Sequence, residues 1–202
     1  QTGNIAFNAE DGKGSLENGS MKPGFTYPET QIPESNEIHQ GITGDGKTDY
    51  QYKKDGILKE DGTYVFTQDP TKIEVESGAA VEATDKDINI DTTKAKLELK
   101  GETGIKANGA DVTVNGNTGI SGATGIDAGN VTLNGNTTIN ANDGKGNAIK
   151  AGEGGSVTIS GQNGSLNGAV NINGAIVAEG ADSKVSIDSS KATGIIEGNV
   201  TA

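Results

Sequence analysis

Short apolar motifs recur along the C-terminal two thirds of this chain in a fixed order, and this repeat constrains the fold more than any other feature. The first motif is a small residue, an apolar residue, an outward-facing residue and an alanine. Its copies stand at 80–83, 104–107, 125–128 and 148–151, with weaker copies at 175–178 and 194–197. The apolar residue therefore steps by 24, 21, 23, 27 and 19 residues. Self-similarity at such a spacing is typical of solenoid proteins.

The second and third motifs alternate apolar and polar residues. Copies of the second motif stand at 88–90, 112–114, 131–133, 157–159 and 185–187, and the stretches VTVNGNT and VTLNGNT at 112–118 and 131–137 are near copies. The third motif begins at 97–99 and continues with Ile120, Ile139 and Leu166 and their neighbours. An alternation with period two predicts strands that bury one side.

Three short strands per repeat, separated by glycine, asparagine and aspartate, predict a coil. Each turn of such a coil stacks on the previous one at about 4.8 Å, so that like motifs become neighbours in parallel sheets. Asn115-Gly116 and Asn134-Gly135 supply the left-handed backbone values that tight corners need. The predicted fold class is therefore all-β, a parallel β-helix (solenoid) with about three short strands per rung.

The amino-acid composition is compatible with this coil. Only 31% of the residues are hydrophobic and 3% are aromatic, too few for an ordinary core of large side chains. Each rung of a thin coil needs only a few valine, isoleucine and leucine side chains, each contributing on the order of 2 kcal/mol when buried. A single rung could not be stable alone, because its strands need partners above and below.

A sharp change of composition near residue 70 predicts two parts. All seven aromatic residues and all four prolines lie before residue 71. We interpret residues 1–70 as a turn-rich N-terminal cap or small β domain, and residues 71–202 as the parallel β-helix. Residues 200–202 lie within what looks like a further rung, so the natural chain is expected to continue beyond them.

Charge and residue usage disfavour several classes of function. The chain has 16 lysines, no arginine and 28 acidic residues, a net charge of −12, which disfavours binding to nucleic acid. It has no cysteine and a single histidine, His39, and its acidic turns do not match known calcium loops. We therefore expect no metal, no cofactor, no catalytic residues and no enzyme activity, although carboxylates are abundant enough to keep a polysaccharide-cleaving alternative open.

Outward positions of the motifs form two predicted columns. Glu82, Lys106, Asp127 and Lys150 alternate in charge when stacked, which is expected to help align the rungs. The second motif contributes Asn89, Thr113, Thr132, Thr158 and Ser186. A threonine column of this kind is found in ice-binding coils, but a single rank is too narrow, and threonine is also common on exposed strands.

Aromatic side chains are the candidate binding residues, because tyrosine and phenylalanine contribute disproportionately to recognition. They are Tyr50, Tyr52, Tyr64 and Phe66. The alternative is that these rings close the N-terminal end of the coil.

Residues 104–139, GIKANGADVTVNGNTGISGATGIDAGNVTLNGNTTI, resemble the passenger domains of Gram-negative autotransporters of the type V secretion class. The resemblance covers about residues 73–202. It implies a right-handed β-helix, localisation at the cell surface or secretion, and a role in adhesion, host interaction or virulence. The implied partners are a host or bacterial surface protein, a glycan, or a second copy of the chain. Contact with a membrane is implied only through a C-terminal barrel, which this sequence does not contain.

A second resemblance supports an alternative. Gly44-Asp45-Gly46-Lys47-Thr48-Asp49, followed by Gly62-Thr63-Tyr64, is similar to the start of pectate-lyase-like and phage tailspike coils. It implies a β-helix that binds or cleaves polysaccharides. The catalytic signatures of that family are missing after residue 70, since no Asp-Asp pair, arginine or histidine occurs there.

Overall fold

A computed structural model shows an all-β chain that winds into a solenoid of about five turns. It describes residues 5–6, 14–17, 20–23, 56–58, 63–67, 69–83, 87–163, 166–188 and 193–202. Within these ranges there is no α-helix, and a single 3-10 turn lies at Asn142–Gly144. The predicted parallel β-helix is confirmed.

The first face of the coil is a parallel sheet formed by the first motif. Its strands, in the order of the sheet, are β1 (Ile5–Ala6), β7 (Ala79–Ala83), β9 (Thr103–Ala107), β11 (Thr124–Ala128), β14 (Asn147–Ala151), β19 (Ala175–Ala178) and β22 (Val200–Thr201). The apolar residue of each motif pairs in register with the next one along the coil: Val81, Ile105, Ile126, Ile149, Ile176 and Val200.

The second and third faces belong to one bent sheet. The second face contains β5 (Thr63–Phe66), the first half of β8 (Ile88–Lys100), the first half of β10 (Val112–Gly122), β12 (Val131–Asn134), β15 (Ser156–Ser160) and β20 (Lys184–Asp188). The third face contains β6 (Thr71–Glu74), the second halves of β8 and β10, β13 (Thr137–Ala141), β18 (Ala169–Asn173) and β21 (Thr193–Glu197). Strands β8 and β10 run round the corner between the two faces, and the register shifts there between Gly116 and Thr118.

Within the part of the chain that the structure describes, three antiparallel pairs accompany the coil. They join β2 (Gly14–Glu17) to β3 (Ser20–Pro23), β4 (Gly56–Leu58) to β5, and β16 (Gln162–Asn163) to β17 (Leu166–Asn167). The third motif was expected to include Leu166, and this assignment is wrong. Leu166 lies in the β16–β17 hairpin, and Val170 and Ile172 pair with Thr137 and Ile139 instead.

A second assignment also needs correction. The last copy of the first motif was placed at 194–197, but β21 pairs with β18 on the third face. The first face continues with Val200 and Thr201, which pair with Ile176 and Val177. Both errors occur in the last two rungs, where the spacing of the motifs is least regular.

The core is a stack of isoleucine, valine and leucine columns with alanine beside them. On the first face Val81, Ile105, Ile126, Ile149 and Ile176 have no exposed surface. The third face contributes the buried column Ile73, Leu99, Ile120, Ile139 and Ile172. The small residue of the first motif faces this column, because a Cβ added at Gly125 would lie 2.5 Å from Cγ2 of Ile139. The interior is therefore too narrow for a larger residue at that position.

Candidate functional site

The third face carries a shallow groove with a volume of about 860 Å³. Its walls are outward side chains of β6, β8, β10 and β13, so four successive rungs contribute to it. A second depression of about 300 Å³ shares Thr138 and Asn140 with the groove and continues across β18 to β21. Together the two form a concave strip along the third face.

Gly119 forms the floor of this groove. It is the outward residue of β10 that pairs with Glu98 of β8 on one side and with Thr138 of β13 on the other. A Cβ at this position would meet nothing closer than Cγ of Glu98 at 3.9 Å. The depression therefore exists because this rung lacks a side chain where its neighbours have one.

The wall formed by β6 and β8 is charged. The carboxylate oxygens of Glu98 lie 2.6 Å from Nζ of Lys96 and 3.0 Å from Nζ of Lys72. Lys100 forms an ion pair with Glu74. The hydrogen bond from Lys96, together with that from Lys72, lowers the pKa of Glu98 below its ordinary value. The hydrogen bond and the charge of Lys100 likewise lower the pKa of Glu74. Both carboxylates are therefore ionised at neutral pH.

The opposite wall is neutral and consists of amides and hydroxyls. The Asn136 side chain donates through Nδ2 to Oδ1 of Asn117 at 2.5 Å and accepts at Oδ1 from the backbone N–H of Ala169. Farther along the strip, Asn173 donates to Asn140 at 3.3 Å. Because these amides are held by neighbours on adjacent rungs, they present fixed donors and acceptors to a ligand.

Tyr64 and Phe66, the two aromatic candidates within the described residues, are not found on this surface. Tyr64 and Phe66 lie on β5 and have no exposed surface, and their ring centroids are 4.5 Å apart. Tyr64 pairs in register with Ile90, an inward residue of the second face. The two rings therefore continue the core at the first described rung. This position agrees with the alternative interpretation, in which the rings close the N-terminal end of the coil. Tyr50 and Tyr52 lie outside the described residues, and their binding role stays a prediction.

Glu74 and Glu98 lack the raised pKa that a general acid needs. Glycoside cleavage requires a carboxylic acid whose pKa is raised so that it can donate a proton at neutral pH. The lysines that contact Glu74 and Glu98 lower the pKa of both groups instead. No cluster of three metal-ligating side chains occurs among the described residues.

The two predicted columns of outward residues are found on the first and second faces. On the first face Glu82 pairs with Lys106, Lys106 with Asp127 and Asp127 with Lys150, so the charges alternate along the coil. On the second face Asn89, Thr113, Thr132, Thr158 and Ser186 pair in register. A parallel rank of Asn115 and Asn134 lies beside it, with Nδ2 of Asn134 donating to Oδ1 of Asn115 at 2.8 Å.

No protein-family model matches this chain, and no curated protein or solved structure is significantly similar to it. The resemblance to autotransporter passenger domains therefore stays a prediction. In the described part of the chain, no helix has the length and apolar character needed to cross a membrane.

Proposed function

We propose that this chain acts as a bacterial cell-surface or secreted β-helix adhesin, a non-catalytic scaffold that binds a surface glycan in the groove of its third face. The observation that supports the proposal most is the groove over Gly119, which has one charged and one amide-lined wall. A groove that spans several rungs suits an extended polymer rather than a compact metabolite.

The chemistry of the walls favours a carbohydrate as the ligand. Amide side chains both donate and accept hydrogen bonds, as sugar hydroxyls do. Protein partners are usually held by buried aromatic or arginine anchors, and none of the described residues that line the groove is of this kind. For the same reason the affinity of one groove is expected to be low, and a surface carrying many copies of the chain would bind by avidity.

A glycan array probed with the wild-type chain and two tyrosine variants tests the proposal. Gly119→Tyr fills the floor of the groove at a position with free space, so the fold is expected to be retained while binding is lost. Thr132→Tyr is the matched control, since Thr132 is an outward residue at the centre of the second face. Far-UV circular dichroism establishes that both variants are folded.

Two results would contradict this assignment. Glycan binding that survives Gly119→Tyr would remove the groove as the binding site. Release of reducing sugar ends from a bound polysaccharide would replace the adhesin by the polysaccharide-cleaving alternative, whereas binding without product release supports a scaffold.

A further inference from the structure

The first face carries a charge pattern that is complementary to itself. Its outward column, which we call the charge ladder, consists of Glu82, Lys106, Asp127 and Lys150 on four successive rungs. The ladder has no net charge, whereas the chain as a whole carries −12. The first face is therefore a region where a second copy can approach with little of the repulsion expected from the overall charge.

In the described part of the chain, few ion pairs neutralise the charge ladder. Among the described residues, Glu82, Lys106 and Asp127 form no ion pair, and Lys150 has a loose contact of 3.5 Å with Glu179 at the edge of the face. All four side chains are half-buried and point outward from the sheet. Their charges are therefore available to a partner.

Symmetry decides which partner arrangement the ladder favours. When two copies face each other with antiparallel coil axes, a two-fold axis between the second and third rungs places residue 82 opposite 150 and residue 106 opposite 127. All four contacts then join opposite charges. If the coil axes were parallel and the rungs of the two copies were level, each ladder residue would face the same residue of the second copy. All four contacts would then join like charges. Closed two-fold contacts of this self-complementary kind are the commonest in homodimers.

The neighbouring outward column permits close approach. It consists of Thr103, Thr124, Asn147 and Ala175, which are all half-buried and small or medium-sized. Strands of five residues stacked over six rungs give a face of about 17 by 29 Å. This area is below that of a standard stable interface, so the contact is expected to be weak and sensitive to salt.

We infer that the first face mediates antiparallel self-association of two copies of this chain through the charge ladder. This inference does not depend on the third-face groove. Surface ion pairs are individually weak, but their arrangement selects the partner and its orientation.

Sedimentation velocity at low and at physiological ionic strength tests the inference. At about 0.01 M salt the Debye length is about 30 Å, and at about 0.15 M it is about 8 Å. The wild-type chain is expected to dimerise in the first condition and to dissociate with added salt. Lys106→Glu makes two of the four contacts repulsive because of the two-fold symmetry, and it is expected to weaken dimerisation by about tenfold or more. Lys184→Glu, on an exposed position of the second face, changes the net charge equally and is expected to leave dimerisation nearly unchanged.

Mixing two charge-reversal variants tests the relative orientation of the two copies in the dimer. Lys106→Glu and Asp127→Lys are each expected to be monomeric alone, since each creates two like-charge contacts. A mixture of the two variants restores four opposite-charge contacts, so heterodimers are expected. The inference is overturned if the wild-type chain stays monomeric at low salt, if Lys184→Glu weakens the dimer as much as Lys106→Glu does, or if the mixture of two folded variants stays monomeric.

Discussion

Gly119 and Gly125 lie on consecutive strands of different faces, and the same substitution is predicted to have opposite effects at the two positions. Gly125 is buried on β11, and a Cβ added there would overlap the carbonyl oxygen of Ala148 and lie 2.5 Å from Cγ2 of Ile139. One of these contacts is with backbone that belongs to the next rung, and the other is with a core side chain of the third face. Neither can move without separating strands, so Gly125→Ala is expected to be destabilising.

The expected magnitude follows from the packing. Inserting a methyl group into a filled core typically costs about 1–3 kcal/mol, and the backbone contact places Gly125→Ala at the upper end of this range. At about 2–4 °C per kcal/mol for a chain of this size, the midpoint of thermal unfolding is expected to fall by about 6–12 °C. Gly119→Ala has room for its methyl group and restricts the unfolded chain, so it is expected to stabilise by about 0.4–1 kcal/mol.

Thermal and urea unfolding followed by far-UV circular dichroism measures both variants against the wild-type chain. The two substitutions are chemically identical, so composition and helix or strand propensity cancel in the comparison. Equal stability of Gly125→Ala and Gly119→Ala would refute the reasoning, because the interior would then have space between the first and third faces that the packing does not show.

Two further predictions concern the core and the charged wall. Ile126→Val removes a methylene from a fully buried site and is expected to lower the free energy of unfolding in urea by about 0.5–1.5 kcal/mol. Ile187 lies on the last described rung with its side chain 37% exposed, so Ile187→Val is expected to lower it by less than about 0.5 kcal/mol. Since the folded-state pKa of Glu98 is lowered, its stabilising contribution is present above the ordinary value of 4.5 and is lost as the pH falls below it. Urea unfolding on both sides of that pH should show a steeper acid loss for the wild-type chain than for Glu98→Gln, and equal slopes would contradict this.

The coil itself could be predicted because inward positions obey a simple rule. Every rung must place apolar side chains above one another, so the chain repeats Val81, Ile105, Ile126 and Ile149 in the same local context. This vertical alignment is a long-range contact, yet it leaves a local signature at each turn. The sequence periodicity therefore reports directly on the stacking of the rungs.

Assignment of a motif to a face was less reliable. Leu166 and the stretch 194–197 satisfy the apolar pattern of the motifs to which they were assigned, but the chain length at the corners decides which face a strand reaches. The hairpin formed by β16 and β17 adds residues between the second and third faces of its rung and displaces the next strand. Strands of similar sequence can lie on any of the three faces, so the local sequence of a strand does not determine which face it joins.

The groove could not be predicted from the sequence, because the feature that forms it is the absence of a side chain at Gly119. Aromatic residues attract attention as binding candidates, yet the position of Tyr64 opposite Ile90 places it in the core. Gly119 was visible in the sequence as a residue beside Ile120 in the third motif. Its meaning depends on knowing that it points outward between Glu98 and Thr138, which requires the register of three rungs.

The outward positions separate the three faces into surfaces with different chemistry, although the inward positions are nearly interchangeable. The second face repeats hydroxyls and amides on each rung, the first face alternates charges, and the third face interrupts its column at Gly119. Because a substitution at an outward position leaves the buried columns intact, each face can change with only a small effect on the stability of the coil. It follows that ligand binding on the third face and self-association on the first face should be separable, with Gly119→Tyr affecting the former alone and Lys106→Glu the latter alone.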